Sequence, residues 1–123
     1  MNVPEGYQAV MPYLIIHNAT DFIAFTRQVF GAELKEKHMR DENLVMHAEI
    51  VIGGSVIMLA DTTPQHATQN AGLFVYVQDA DAAYRKALEA GATSLMAPAD
   101  QSYGRSGGVK DAYGNTWWIT SIK

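Results

Sequence analysis

Apolar and polar positions along the first half of the chain divide it into one helix and four strands. Pro12–His17 is rich in β-branched and aromatic residues, which favours a strand. Apolar residues then recur at helical spacing until Gly31, and glycine commonly ends a helix in the left-handed conformation. The charged stretch Glu33–Glu42 fits an exposed strand and turn, so the first half reads βαβββ. The remaining two strands are predicted at Leu44–Ile52 and Ser55–Ala60.

The second half repeats this order of elements. Apolar spacing predicts a helix that ends at Gly91, sixty residues after Gly31. Gly114 follows Gly54 at the same distance, and the matching order of elements indicates a duplication. The strands of the second half are predicted at Leu73–Gln78, Ala92–Met96, Gly107–Lys110 and Thr116–Ile122.

Two polar segments interrupt these elements. Residues 61–71 are polar and contain one proline, which is typical of a linker, and Pro98–Ser106 is predicted to be a long loop. We therefore predict a single domain, 1–123, in which modules at about 8–60 and 72–123 are joined by this linker.

Composition excludes several classes of function. The chain has no Cys, which removes disulfides, thiolate metal sites and Cys nucleophiles. Thirteen acidic residues against nine basic ones give a net charge of −4, whereas binding to a phosphate backbone favours the opposite balance. No apolar run approaches the roughly 18 residues of a membrane span, and Met1–Tyr7 lacks a signal-peptide pattern. We expect a cytoplasmic protein that binds neither nucleic acid nor membranes.

A duplicated βαβββ unit with these motifs resembles the vicinal oxygen chelate superfamily, which includes glyoxalase I, extradiol dioxygenases and bleomycin-resistance proteins. Within it, the chain is most similar to the PhnB-like branch. The resemblance implies an α+β fold, in which two βαβββ modules form a curled mixed β-sheet around a cavity, and it implies a homodimer. The segments that carry it are PYLIIHNATDFIAFTRQVFGAEL, HAEIVIGGSVIMLAD, FVYVQDADAAYRKALEAGA and DQSYGRSGGVKDAYGNTWWI.

The resemblance also indicates where a metal would bind. Metal-using members take four His, Glu or Gln ligands from the first and last strand of each module. Met is a soft thioether and Gly and Trp supply no ligand, so the resemblance implies a member without the usual metal site, and we expect no cofactor. The four corresponding positions here are Met11, Met58, Gly72 and Trp118.

Strand alternation predicts which side chains line the cavity. One face of Leu44–Ile52, Met46 included, is apolar and is predicted to pack on the helices. His47 and Glu49 then project side by side from the opposite face. Aromatic boxes with a few polar groups bind small, partly apolar molecules. The predicted lining consists of Tyr13, His47, Glu49, Met58, Phe74, Tyr76 and Trp118.

Each of these residues also has a structural interpretation. Aromatic side chains on a strand face are often core, and a Glu49–His47 pair can satisfy itself without binding anything. Burial among aromatics raises the pKa of a carboxyl group unless a protonated His47 stabilises it. A perturbed pair of this kind suits a general base and a structural pair equally, so the sequence leaves both roles open.

Arg105 is a further candidate for ligand binding. The PhnB-like branch carries a Tyr-Gly-Asp-Arg loop, of which Tyr103-Gly104-Arg105 keeps three residues and lacks the Asp. The resemblance implies that Arg105 reaches the pocket rim and binds an anionic group as a forked donor. The alternative is a surface arginine on a flexible loop.

Three functional hypotheses follow from the sequence. The first is a metal-independent protein that binds a small, partly aromatic or apolar molecule, as in resistance or sequestration. The second is a lyase, isomerase or dioxygenase-like enzyme that uses Glu49 as base, with a displaced metal or none. The third is a structural or interaction role, in which the protein's own side chains fill the cavity.

The vacated metal positions generate a direct prediction. Untagged protein incubated with zinc, nickel, manganese or iron(II) and then dialysed exhaustively should retain no stoichiometric metal in elemental analysis. One retained ion per chain would mean that the assignment of the four metal positions is wrong, or that His47 and Glu49, which supply two ligands at most, do take part in a metal site.

Overall fold

The computed structural model describes residues 2–122, and within them the chain forms two helices and eight strands. The helices are α1 (Ala19–Phe30) and α2 (Ala80–Glu89). The strands are β1 (Tyr13–Ile16), β2 (Glu33–Met39), β3 (Val45–Ile52), β4 (Ser55–Asp61), β5 (Gly72–Tyr76), β6 (Thr93–Gln101), β7 (Gly104–Lys110) and β8 (Thr116–Ser121).

The strands form two four-stranded sheets with the same internal order, β1-β4-β3-β2 and β5-β8-β7-β6. Within each sheet the first and last strands of the module are parallel and the other neighbours are antiparallel. The predicted α+β class with mixed sheets is confirmed. The chain divides into two compact units, one holding residues up to Arg27 and Gly31–Asn70, the other Gln28–Phe30 and 71–122. Within residues 2–122, no helix is long and apolar enough to cross a membrane.

The first sheet buries one face and leaves the other partly open. Leu14 and Ile16 of β1 are buried, whereas Tyr13 is 45% exposed. Ala48 and Ile50 of β3 are buried in the same way. Because successive side chains of a strand point to opposite faces, the apolar positions form the core and the intervening positions remain available for other roles.

Met46 departs from the predicted alternation of β3. It is 49% exposed, so the prediction that it packs on the helices is wrong. The pairing of β3 with β2 shifts register here, because His38 pairs with His47 whereas the next residue, Met39, pairs with Val45. A one-residue shift moves side chains to the opposite face, so Val45 is fully buried in place of Met46.

The second unit contains a longer hairpin than the sequence predicted. β6 extends to Gln101 and β7 begins at Gly104, so the predicted loop Pro98–Ser106 is mostly strand. β6 lies at the edge of its sheet, where polar residues are tolerated because one side of the strand meets solvent. Pro98 falls where the pairing with β7 shifts register, at a point that needs no backbone N–H donor.

The end of β4 stabilises the start of α1. Asn18 precedes the helix in the left-handed conformation, and its side chain makes no cap hydrogen bond. Instead, the buried carboxylate of Asp61 accepts hydrogen bonds from the backbone N–H groups of Ala19, at 3.0 Å, and Val45, at 2.7 Å. A side chain from another element therefore satisfies one of the free amides at the helix N-terminus.

The second unit uses the corresponding position. Ser121, at the end of β8 and sixty residues after Asp61, accepts a hydrogen bond from the N–H of Ala80 at 3.3 Å. In addition, the Asp79 side chain caps α2 by accepting from Ala82 N–H at 3.1 Å. The helix of this unit thus has a local cap that α1 lacks.

Asp111 holds the turn between β7 and β8. Its carboxylate accepts hydrogen bonds from the backbone of Tyr113, from the backbone and side chain of Asn115, and from the indole N–H of Trp117. Asp111, Asn115 and Trp117 are all buried. The buried carboxylate therefore sets the position at which β8 enters the sheet.

Asp61→Ala should lower the free energy of unfolding by about 3 kcal/mol, because two buried N–H groups lose their acceptor. Ser121→Ala is the matched control and should cost about 1 kcal/mol, since it removes one longer hydrogen bond. Urea unfolding followed by circular dichroism measures both variants. Equal losses for the two would contradict a special role for the Asp61 carboxylate.

Candidate functional site

Three side chains form a chain of hydrogen bonds on the open face of the first sheet. The Tyr13 hydroxyl lies 2.9 Å from Nδ1 of His47, and Nε2 of His47 lies 2.8 Å from Oε2 of Glu49. The sheet positions these groups, because Met58 of β4 pairs with Tyr13 on one side and with Glu49 on the other. His47 lies two residues before Glu49 on β3 and so shares its face.

Glu49 is buried, with 4% of its surface exposed. Its other oxygen, Oε1, accepts a hydrogen bond from the Tyr7 hydroxyl at 2.5 Å. The Tyr7 hydroxyl oxygen also lies 3.3 Å from Oε2 of Glu36, and Nζ of Lys35 lies 4.8 Å from the centre of the Tyr7 ring. The segment before β1 therefore covers the carboxylate and helps to hold it in place.

The hydrogen bonds decide the charge state of this cluster. Burial raises the pKa of the Glu49 carboxyl, but the hydrogen bonds from Tyr7 and His47 lower it by a larger amount. The pKa of Glu49 therefore lies below its ordinary value. The hydrogen bond to Glu49 holds the pKa of the Tyr7 phenol well above its ordinary value. At neutral pH Glu49 is thus ionised and Tyr7 is protonated. The sequence-based expectation was a raised Glu49 pKa unless a protonated His47 stabilised the carboxylate, and it overlooked Tyr7.

Two cavities border the cluster within the first unit. The N-terminal segment, with Met11 and Met58, lines a cavity of about 460 Å³ that also contacts Tyr7. A second cavity, of about 330 Å³, is lined by Tyr13, Arg40 and His66 among others. Both have room for a small molecule in contact with one of the two tyrosines.

Four aromatic side chains are exposed together in the second unit. We call Phe74, Tyr76, Tyr103 and Trp118 the aromatic surface; their exposed fractions are 51%, 63%, 53% and 37%. The Phe74 ring lies edge-on to Tyr76 with 5.2 Å between centres, and 6.1 Å from Tyr103. Trp118 pairs with Phe74 on one side and with Gly108 on the other. A Cβ atom at Gly108 would overlap the indole, so the glycine leaves room for Trp118 to lie across β7.

Arg105 is held by carboxylates of its own unit. Its Nε and Nη2 bind both oxygens of Asp81 on α2, at 2.6 and 3.1 Å, and Nη1 lies 3.3 Å from Asp100. These bonds lower the pKa of Asp81 and raise that of Arg105. The guanidinium therefore remains charged, and a ligand would have to share it with Asp81.

The repeated βαβββ order and the two sheets match a known group of proteins. The sequence profile of the Glyoxalase/Bleomycin resistance protein/Dioxygenase superfamily matches residues 9–119. The chain belongs to this superfamily. The resemblance is therefore confirmed at superfamily level, whereas assignment to the PhnB-like branch stays a prediction.

Individual proteins are similar over most of the chain. The uncharacterized protein Mb0911c of Mycobacterium bovis is 32% identical over 89% of this chain and 80% of its own. A PhnB protein from Bacillus cereus has 20% identity and a TM-score of 0.72, over 94% of this chain and 100% of its own. TnmS3, an antibiotic binding protein from Streptomyces sp. CB03234, has 17% identity and a TM-score of 0.71, over 95% and 100%. The two structural likenesses concern the fold.

The residues at the positions that the resemblance assigns to metal ligands do not supply groups that suit a divalent cation. Met58 presents a thioether, Gly72 has no side chain, and Trp118 covers Gly108 with its indole ring. His47 and Glu49 are side chains of a type that commonly ligates metal ions, but here they are hydrogen-bonded to each other. Among residues 2–122 there is no group of three or more His, Cys, Asp or Glu side chains placed to hold a metal ion.

The structure brings the sequence-predicted lining residues together in two sets. The first unit contains one set and the second unit the other, and the roles of both as ligand contacts stay predictions. Sequence analysis missed Tyr7, Arg40 and Tyr103. Tyr7 lies before any recognisable element, and Tyr103 lies in a segment assigned to a loop. The first set is Tyr13, His47, Glu49 and Met58, and the second is Phe74, Tyr76 and Trp118.

Glu49→Gln should make stability less dependent on pH. Since the folded pKa lies below the ordinary value of 4.5, ionised Glu49 stabilises the fold above that pH, and this contribution is lost as the pH falls through the folded pKa. The variant should be about 2 kcal/mol less stable than the parent at pH 7, and this difference should shrink towards pH 3.

Urea unfolding at several pH values measures this difference. Glu89→Gln, on the exposed side of α2, is the control and should parallel the parent protein. A difference between Glu49→Gln and the parent that grows towards low pH would contradict the lowered pKa.

Proposed function

We propose that this superfamily member binds a small, partly aromatic or apolar molecule, without the metal site used by other members. The observation that carries the proposal is the aromatic surface of the second unit. Four aromatic side chains are 37–63% exposed there, while Trp117 and Ile119, on the other face of β8, are fully buried. One face of β8 thus contributes to the core of this unit. Packing within the unit does not account for the exposed aromatic side chains on the other face.

The geometry of the aromatic surface suits a flat ligand. Aromatic rings prefer edge-to-face or offset contacts with centres 4.5–7 Å apart, and the two measured pairs fall in that range. A contiguous apolar patch on a folded protein commonly marks a binding site for a ligand or a partner. Trp118 offers the largest ring and lies flat over Gly108, so it presents a platform for stacking.

The first unit carries polar groups of its own that can hydrogen-bond a small molecule. His47 is partly exposed, with 26% of its side chain accessible, and lies between Tyr13 and the buried Glu49. Arg105, as part of the same proposal, would contribute only by sharing its guanidinium between Asp81 and an anionic group of the ligand.

The comparisons support binding of an organic molecule. TnmS3, which shares the fold, is described as an antibiotic binding protein. We extend ligand binding of that kind to this chain, and we keep the homodimer and the PhnB-like branch as parts of the proposal. The enzymatic alternative, with Glu49 as base, also stays a prediction. Both oxygens of Glu49 already accept hydrogen bonds, from Tyr7 and His47.

Trp118→Ala should weaken binding of an aromatic ligand at least tenfold, or about 1.4 kcal/mol. Ligands can be found by screening aromatic antibiotics, bleomycin included, for a change in the tryptophan fluorescence of the parent protein, and isothermal titration calorimetry then gives the affinities of the parent and the variants. Trp118 is 37% exposed and Trp117 is 1% exposed, so a contacting ligand should affect chiefly Trp118.

Ile122→Ala is the matched control, because Ile122 is 82% exposed and lies just after β8 in the same unit. It should leave affinity unchanged. If Trp118→Ala retains full affinity for a ligand that binds the parent protein, the aromatic surface is not the binding site.

A further inference from the structure

The side chains of Tyr13, His47 and Glu49 form a series of increasing burial. Tyr13 is 45% exposed, the His47 side chain is 26% exposed, and the Glu49 side chain is 6% exposed. A reactive hydroxyl, an imidazole that takes its proton and a buried carboxylate that orients the imidazole form the general arrangement of an activated nucleophile or acid–base group. The series here places the hydroxyl outermost and the carboxylate innermost, as that arrangement requires.

The hydrogen bond to Glu49 determines that Nε2 of His47 carries a proton. Ionised Glu49 can only accept, so Nε2 of His47 carries the proton in their 2.8 Å hydrogen bond. In the neutral imidazole Nδ1 is then an acceptor, and the Tyr13 hydroxyl donates a hydrogen bond to it, with 2.9 Å between the oxygen and the nitrogen. Tyr7 occupies the other oxygen of Glu49, which prevents the carboxylate from turning away.

We propose that Tyr13, His47 and Glu49 form a proton-transfer site, in which Tyr13 contacts the bound molecule, His47 is the base and Glu49 is a positioning residue. His47 Nδ1 takes the phenolic proton as Tyr13 Oη takes a proton from the bound molecule. His47 then returns a proton to Tyr13 Oη as Tyr13 donates one proton to a different atom of the bound molecule, which completes an isomerisation without a change in net charge or oxidation state. This site lies in the first unit and does not depend on the aromatic surface.

The neighbouring cavity indicates which class of molecule would bind. Tyr13 and Arg40 both line the cavity of about 330 Å³. The Asp61 carboxylate in its wall accepts hydrogen bonds from the backbone N–H groups of Ala19 and Val45. Arg40 therefore offers a positive, forked donor suited to a carboxylate or another oxyanion. The substrate class is a small organic anion that carries a transferable proton.

Acetylation by N-acetylimidazole tests the reactivity of Tyr13. The acetyl carbon bonds to Tyr13 Oη, the C–N bond of the reagent breaks, and the phenolic proton passes to His47 and then to the departing imidazole. At neutral pH Tyr13 should react at least ten times faster than Tyr103, which is similarly exposed at 53%, as measured by peptide mass spectrometry. His47→Gln should reduce the rate at Tyr13 to that at Tyr103.

Nitrogen NMR of the wild-type protein gives an independent readout that does not depend on a variant folding. His47 should carry a proton on Nε2 and accept the Tyr13 hydrogen bond at Nδ1, and Glu49→Gln should alter that tautomer and slow the acetylation of Tyr13 tenfold. A proton on Nδ1 and none on Nε2 would overturn the proposal. Equal acetylation of Tyr13 and Tyr103 in the wild type would overturn it as well.

Pyruvate is the probe for the anion. At saturating concentration it should slow the acetylation of Tyr13 in the parent protein at least threefold, and Arg40→Gln should remove this protection. Lys110→Gln, a change at an exposed residue at the end of β7, should leave the protection intact. Failure of pyruvate to protect Tyr13 would overturn the assignment of the cavity to a small organic anion.

Discussion

In each module the first strand along the chain pairs in parallel with the last, and this pairing brings the end of the last strand to the start of the helix. β1 and β4 run side by side in the same direction, and α1 begins directly after β1. Asp61 at the end of β4 therefore reaches the first amide of α1, as Ser121 does for α2. Parallel strands cannot be joined by a hairpin, so this arrangement requires the intervening helix and strands. The same pairing places Met58 between Tyr13 and Glu49, which aligns the candidate proton-transfer site.

The two open faces differ in chemistry because their strands carry different side chains at equivalent positions. The first sheet presents hydrogen-bonding groups around one buried carboxylate, Glu49, whose charge is stabilised by Tyr7 and His47. The second presents aromatic rings, with Gly108 leaving room for the Trp118 indole. A charged group must have partners when it is buried, whereas an aromatic ring can remain exposed at modest cost. The first face thus suits proton transfer and the second suits stacking.

Strand alternation predicted most of the fold and part of the site. His47 and Glu49 were placed side by side because a strand repeats every two residues, and the structure shows them hydrogen-bonded. The same rule was wrong for Met46, because a register shift between neighbouring strands is not visible in one strand's sequence. Pro98–Ser106 was predicted to be a loop because its polar composition resembles one. An edge strand tolerates that composition, and only the pairing with β7 distinguishes the two cases.

By itself, the sequence determined the α+β class, the repeated order of elements and the superfamily. These follow from local spacing and from the identity of single residues. Tertiary structure alone decided the partners of the charged groups. Tyr7 reaches Glu49 across 42 positions, Asp81 binds Arg105 across 24, and Arg40 faces the same cavity as Tyr13. Hydrogen bonds between distant residues depend on how strands pair, and the spacing of residues along the chain carries no information about that pairing.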